Sequence, residues 1–314
     1  MALAGADYTT VPLKITAAKE YVDTVGLDVA GMVADLKEFK SKSGTSCPNV
    51  GEWLEAFGDA EEIFCVTISR NLSGSYAASV QAGEAYMEEH PGRRVSVIDT
   101  LSVGPEAHLV LDKLVELMAQ GLEFDEIDKQ VRDYLKTTRL CFSLESIENL
   151  ARNGRVNPAV AKVCGVLGIR VVGKVTDGRL DPQSKCRGEK RSIQEMVKLM
   201  GEMGYNGGKV RICHVVNPEG AERMAKLVLE KALSWSKAVN AAIVALPEEL
   251  KVPYEGAKEG LAAAHSFADV AMVSSANRDA VEEEWGKFGL LEHMDIVLAQ
   301  DVGSKAACIA EMLK

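Results

Sequence analysis

Apolar and polar positions follow two rhythms along this chain. Ile63-Phe64-Cys65-Val66-Thr67-Ile68 is a continuous apolar run and predicts a buried strand, followed by a polar loop and a helix over about 76–89. Val95-Ser96-Val97-Ile98 predicts the next strand, and a helix follows over about 105–120. Its Leu111, Leu114, Val115 and Met118 recur at the three-and-four spacing of one buried face. Strand, helix, strand, helix at this pitch predicts a parallel sheet covered by helices. Further on, 169–175 reads as a strand, with Thr176-Asp177-Gly178-Arg179 as a hairpin-type turn. A helix over 193–203 carries Met196, Val197, Met200 and Met203 on one side, and 210–215 reads as another strand. Asn217-Pro218-Glu219 opens the next helix with a capping residue and proline in the first turn, and that helix runs into Ala232-Leu233.

After about 233 the texture changes. Residues 235–245 are helical and apolar, and Pro247 and Pro253 punctuate a linker. A strand over 267–275, a helix over 279–288, a strand over 295–299 and a helix over 306–313 follow, with no repeat or low-complexity stretch. At roughly 150 residues per domain, 314 residues make about two domains. Hydrophobic residues at 47% and charged residues at 26% exclude a disordered, collagen-like or disulfide-miniprotein chain. No apolar run approaches the ~18 residues of a membrane helix, so no transmembrane segment is expected.

Thirty-six basic and 46 acidic residues leave a formal charge of −10, which argues against nucleic acid or anionic membrane as a partner. Aromatic residues, at 5%, offer few stacking platforms for single strands. The seven cysteines, Cys47, Cys65, Cys141, Cys164, Cys186, Cys213 and Cys308, are too far apart for a CxxC motif. Cys65 and Cys213 lie in apolar runs and read as small buried hydrophobes. Scattered, odd-numbered cysteines with no signal peptide predict a reducing, cytoplasmic setting.

Candidate chemistry concentrates in Thr67-Ile68-Ser69-Arg70-Asn71-Leu72-Ser73-Gly74-Ser75, where a strand ends and a helix begins. Unpaired N–H groups and the helix dipole favour a carboxylate or phosphate there. Ser73 serving only as a helix cap is an equally open reading. A second hydroxyl cluster, Ser43-Gly44-Thr45-Ser46-Cys47-Pro48, falls in a predicted loop before the helix of Trp53, Leu54 and Phe57. Together the two clusters can grip both oxygens of a carboxylate. His90, His108, His214, His265 and His293 lack metal-ligand spacing, and Glu282-Glu283-Glu284 reads as a solvated helix face. No cofactor and no metal are expected. Asp99, at a strand end, is read either as functional or as a turn cap.

These residues carry a resemblance. Thr45-Ser46-Cys47-Pro48 is similar to the TSQP element of the DegV family of bacterial fatty-acid-binding proteins, and Ile68-Ser69-Arg70-Asn71-Leu72-Ser73-Gly74-Ser75-Tyr76 to its IS-x-x-LSGTY element. Val97-Ile98-Asp99-Thr100, Leu144-Glu145 through Asn153-Gly154-Arg155, Cys186-Arg187-Gly188 and His214-Val215-Val216-Asn217-Pro218-Glu219 continue it in order, over about 8–230. The resemblance implies a carrier that buries an acyl chain between two domains. Its head-group hydroxyls fall on Thr45 or Ser46 and on Ser73, with the Gly74 backbone nearby and Arg170 as the basic residue. It further implies a long-chain fatty acid as ligand, a fatty-acid kinase as the partner that phosphorylates the carboxylate, and no bond chemistry by the chain itself. The family's initial strand with a TDS-type element and its SH-x-GPG ending are not found in this sequence, and Gly303-Ser304-Lys305 has lysine where the histidine is expected.

The last segment resembles part of a haloacid-dehalogenase-like (HAD) hydrolase, through Val270-Ala271-Met272-Val273-Ser274-Ser275-Ala276-Asn277 and the run from Val297 to Lys305. That resemblance implies phosphoryl binding by Ser274 and Lys305, but the DxDxT nucleophile motif is absent, so hydrolase activity is not expected. An inactive HAD-like fragment, or a hybrid chain with neither activity, is the alternative to the carrier. The expected fold is α/β: a parallel domain over 1–135, a mixed second domain with antiparallel pairing over 136–232, together a two-domain DegV-like fold, and a partial Rossmann-like segment over 233–314.

Overall fold

The computed structural model describes residues 7–39, 41–156, 169–274, 276–299, 301–303 and 305–312. Cys164, Ser275 and Ser304, named above, lie outside them. The chain divides into two compact units, one reaching Ser234 and the other starting at Trp235, and each is described by itself.

The first unit opens with a small antiparallel sheet of order β2-β1-β3, from β1 (Lys14–Thr16), β2 (Glu20–Val22) and β3 (Gly44–Ser46), with helix α1 (Val29–Glu38) between the last two. This sheet was not expected; the hydroxyl cluster thought to sit in a loop is the strand β3, with Ile15 opposite Thr45 and Lys14 opposite Ser46. Helix α2 (Val50–Phe57) starts at a capping box: Asn49 accepts from the Glu52 N–H, and Glu52 accepts from the Asn49 N–H.

β4 (Glu62–Thr67) and β5 (Arg94–Asp99) then pair in parallel, as the alternating pattern predicted, linked by helix α3 (Ser75–Glu89). Successive side chains of a strand face opposite ways, so each strand serves two cores. Phe64, Val66 and Ile98 face α4 (Pro105–Ala119) and α5 (Phe124–Leu135), where Val110, Leu114, Leu117, Ile127 and Val131 are buried. Ile63, Cys65, Val95 and Val97 face the Trp53, Phe57, Ala82 and Tyr86 of α2 and α3. The buried stripe of α4 centres on Val110, Leu114 and Leu117, one step round the helix from the predicted one, because α5 packs on that side. Cys65 is buried as expected, and burial pushes its thiol pKa up to about 12.

An antiparallel sheet of order β6-β7-β8 follows, from β6 (Cys141–Leu144), β7 (Ile169–Thr176) and β8 (Arg179–Arg187), with the short helix α6 (Glu148–Arg152) after β6. The Asp177-Gly178 turn closes the β7–β8 hairpin with φ of 48° and 73°, the conformation that Asp-Gly favours. One face of this sheet presents Leu144, Val171 and Leu180 to Ile147, Leu150 and Val156. The other presents Val172 and Cys186 to Leu199 of α7 (Glu189–Glu202).

The predicted strand over 210–215 does not form. Among the described residues no neighbouring strand pairs with this segment, and Arg211 and Lys209 instead reach Asp112 and Glu116 of α4. Cys213, expected to be buried, is therefore exposed. The helix opened by Asn217 runs unbroken as α8 (Pro218–Val244), where two helices were expected.

The second unit holds α9 (Ala257–His265), β9 (Ala271–Val273), α10 (Arg278–Lys287), β10 (Ile296–Leu298) and α11 (Lys305–Met312), with β9 and β10 parallel. Its strands are shorter than the sequence pattern suggested. Asp295 accepts from the Val270 N–H at 2.7 Å, and that bond chiefly holds its carboxyl below the usual range.

Ile98 is fully enclosed between β5 and the α4–α5 pair, so Ile98→Ala is expected to lower unfolding stability by about 2–5 kcal/mol. Urea denaturation followed by circular dichroism reads this, and a cost within experimental error of zero contradicts the core assignment.

Candidate functional site

The parallel pair dictates where chemistry can sit: both strands end at the same edge, and the loops beyond them carry the side chains. β4 ends at Thr67, and the loop 68–74 bends back on itself, with Leu72 and Ser73 donating main-chain N–H to the Ser69 carbonyl. β5 ends beside it. Thr100 donates its hydroxyl to the Thr67 carbonyl, and Ser69 donates its N–H to the Ser102 carbonyl. Arg70 pairs with Asp99 at 2.5 Å and lies over the Tyr76 ring, and the Asp99 hydrogen bond raises the arginine pKa further. Asp99 also accepts from the Leu101 N–H, so it caps this turn as well as holding Arg70.

Helix α3 begins with Gly74 at its N-cap, without a side-chain cap. Ser73 supplies a partial substitute: its hydroxyl accepts from the Ser75 N–H at 3.2 Å and shares a hydrogen bond with the Ser75 hydroxyl. The capping role is thus met, yet N–H groups at a helix start remain available to an anion. The cluster on β3 lies against this same point. A Cβ on Gly74 would sit 3.0 Å from the Cys47 sulfur, so the segment Thr45-Ser46-Cys47 and the segment Ser73-Gly74 are in van der Waals reach.

Two segments of the β6–β8 layer clamp these loops from the other side. The hairpin turn docks on the first: Ser69 donates its buried hydroxyl to the Gly178 carbonyl at 2.6 Å, and Asn71 donates to the Asp177 carbonyl at 2.8 Å. The stretch after α6 docks on both. Asn153 donates to the Ser43 carbonyl at 2.9 Å, and Arg155 donates from Nε to the Leu72 carbonyl at 3.3 Å. Gly154, at φ 74°, allows the chain to leave α6 and aim Arg155 inward.

Arg170 stands elsewhere. It pairs in register with Cys186 on the face covered by α7 and contacts Glu189 at 3.4 Å. Hydrogen bonding from Asn217, then the charges of Arg223 and Arg170, hold the Glu189 carboxyl below its ordinary range. No described contact brings Arg170 to Ser73. Arg155 reaches the Leu72 carbonyl, next in the chain to Ser73; the Asn153-Gly154-Arg155 motif is visible in the sequence, but its reach depends on how α6 ends.

A model of the DegV family, described as uncharacterised proteins, matches residues 2–244. The chain belongs to the DegV family. A DegV domain-containing protein of Streptococcus gordonii is 36% identical over 227 residues, covering 72% of this chain and 81% of the relative. Among solved structures, a DegV family protein from Eubacterium eligens loaded with heptadecanoic acid is 42% identical, with a TM-score of 0.70 over 73% of this chain and 84% of that one. The Fatty Acid Kinase (Fak) B3 protein of Streptococcus pneumoniae, loaded with linoleic acid, is 35% identical, with a TM-score of 0.68 over 70% and 79%. The mixed α/β architecture of the first unit is thus the DegV fold.

The HAD-like reading of the last segment draws no support from these DegV matches. In the second unit Ser274 donates its N–H to the Leu298 carbonyl at 2.8 Å, and its hydroxyl accepts from the Ala276 N–H at 3.1 Å. Lys305 is exposed at the first turn of α11. Ser274 therefore ends β9 and shapes the turn that follows. Among the described residues no three His, Cys, Asp or Glu side chains come together as a metal site, and no helix is long and apolar enough to cross a membrane.

Gly178 joins the DegV hairpin turn to the loop after β4 with no room to spare. A Cβ there would lie 2.5 Å from the Ser69 hydroxyl, whereas one at Gly121, with a similar positive φ, would meet open space. Gly178→Ala is expected to cost about 2 kcal/mol or more, and Gly121→Ala about 1 kcal/mol. Equal costs in parallel urea titrations contradict the clamp.

Proposed function

We propose that the chain is a fatty-acid carrier. On this reading an acyl chain is buried between the first two domains, 1–135 and 136–232, and its carboxylate rests where β3 meets the start of α3. The hydroxyls of Thr45 or Ser46 and of Ser73 hold the carboxylate, and the Gly74 backbone adds its N–H. The observation that carries this is the contact of Cys47 with Gly74, which joins the two hydroxyl segments at a helix N-terminus. The fatty acids carried by the E. eligens and S. pneumoniae proteins support the ligand class.

Of the two arginines, Arg155 is the better placed to neutralise the carboxylate, since Arg170 is engaged with Glu189. An arginine fork beside a carboxylate supplies charge and direction together. The carrier needs no cofactor of its own. The reading gives phosphorylation of the carboxylate to a fatty-acid kinase, which the Fatty Acid Kinase name of the S. pneumoniae protein supports. The chain then holds and presents the acid, makes and breaks no bond, and works in the cytoplasm. Residues 233–314 stand outside this function as a separate segment.

Each hydrogen bond to a charged group contributes about 1.5–3 kcal/mol, so Ser73→Ala is expected to weaken fatty-acid binding by about ten- to a hundredfold. Arg155→Gln is expected to do at least as much. Displacement of a fluorescent fatty acid measures both, and native mass spectrometry of the purified chain shows whether lipid co-purifies. A chain that takes up no fatty acid of any length, or one that binds equally well in both variants, overturns the proposal.

A further inference from the structure

Helix α8 has a second face whose chemistry the lipid site does not use. Its inner face is spent on the core, where Met224 and Val228 pack against Ile193 and Met200. The outer face carries Leu229 and Leu233, 70% and 56% exposed, on an open helix surface bordered by Glu222, Ala225, Lys226 and Glu230. Four residues apart, Leu229 and Leu233 stand one above the other on the helix surface, as do Lys226 and Glu230 beside them. Among the described residues, none of Glu222, Lys226 and Glu230 forms a salt bridge.

The pattern of this face is its own complement when reversed. With Leu229 opposite Leu229 of an antiparallel copy, the small Ala225 falls opposite the large Leu233, and the same pairing repeats by symmetry. Lys226 then stands within side-chain reach of Glu230 across the axis, twice. A uniformly acidic or basic partner would match only one of the two signs. An anionic lipid surface would be repelled by Glu222 and Glu230 and by a chain of formal charge −10.

We propose that this face is a self-association surface, on which a second copy of the chain lays the same helix antiparallel. Such an interface is isologous. The face from 222 to 233 is only about 17 Å long, so the contact falls at the small end of specific interfaces, where association is weak and transient. It forms at high local concentration and does not depend on the lipid reading.

Sedimentation velocity of the full chain, from micromolar to near-millimolar concentration, tests it. The account expects a shift from one chain toward two with rising concentration, abolished by Leu229→Glu with the circular dichroism spectrum unchanged. Lys226→Glu alone is expected to weaken association about tenfold, and Lys226→Glu combined with Glu230→Lys to recover it. A chain that stays single at every concentration overturns the proposal, as does a dimer indifferent to Leu229→Glu or a charge swap without recovery. Binding of the single chain to phosphatidylglycerol vesicles through Leu229 also overturns it, in favour of a lipid surface.

Discussion

The hydroxyl of Ser69 donates to the carbonyl of Gly178 at 2.6 Å, inside the protein and across 109 residues of sequence. This bond links the two layers at the candidate site. It brings the β7–β8 hairpin onto the loop that follows β4, and it is reinforced by Asn71 on Asp177, Asn153 on Ser43 and Arg155 on Leu72. All four acceptors are main-chain carbonyls. Only the Ser69–Gly178 bond is fully buried, where an unpaired carbonyl would cost on the order of 1–3 kcal/mol; the other three, exposed or half-buried, add smaller increments to the same relation. The geometry of the hydroxyl segments follows from that relation as much as from their own strands.

This arrangement divides labour between backbone and side chains. Main-chain bonds fix the loops, which leaves the hydroxyls of Thr45 and Ser46 on an exposed strand end and that of Ser73 at the start of α3. Glycine eases close approach at two points: a Cβ on Gly74 would lie a tight 3.0 Å from the Cys47 sulfur, and one on Gly178 only 2.5 Å from the Ser69 hydroxyl. The arginines divide similarly. Arg70 is bound to Asp99 and Arg170 to Glu189, whereas Arg155 uses Nε on the Leu72 carbonyl next to Ser73 and one terminal nitrogen on the Asn153 carbonyl of its own segment.

What the sequence disclosed and what it withheld have physical causes. The parallel pair β4–β5, the hairpin at Asp177-Gly178 and the cap at Asn217 were legible because each is written in local pattern: apolar runs, a turn dipeptide, a capping residue. The DegV motifs were legible through order and spacing. The segment 210–215 suits a strand by its β-branched residues, yet a strand exists only when a neighbour supplies hydrogen bonds, and Arg211, with Lys209 just before the segment, is drawn to α4 instead. The antiparallel β1–β3 sheet was missed because three-residue strands carry too few positions to show alternation. The DegV resemblance implies Arg170 as the head-group arginine; in the structure Arg170 is engaged with Glu189, and Arg155 donates to the Leu72 carbonyl next to Ser73. Register alone places Arg170 on the α7 side.

The central claim is that the meeting point of β3 and the start of α3 receives a carboxylate. A crystal structure of the chain grown with a long-chain fatty acid tests this most directly. The account predicts the carboxylate within hydrogen-bond distance of the Ser73 hydroxyl and of Thr45 or Ser46, with the Arg155 guanidinium alongside. A fatty acid bound with its carboxylate elsewhere, for example in the cavity of about 290 Å³ lined by Val33, Leu36 and Arg152, contradicts it.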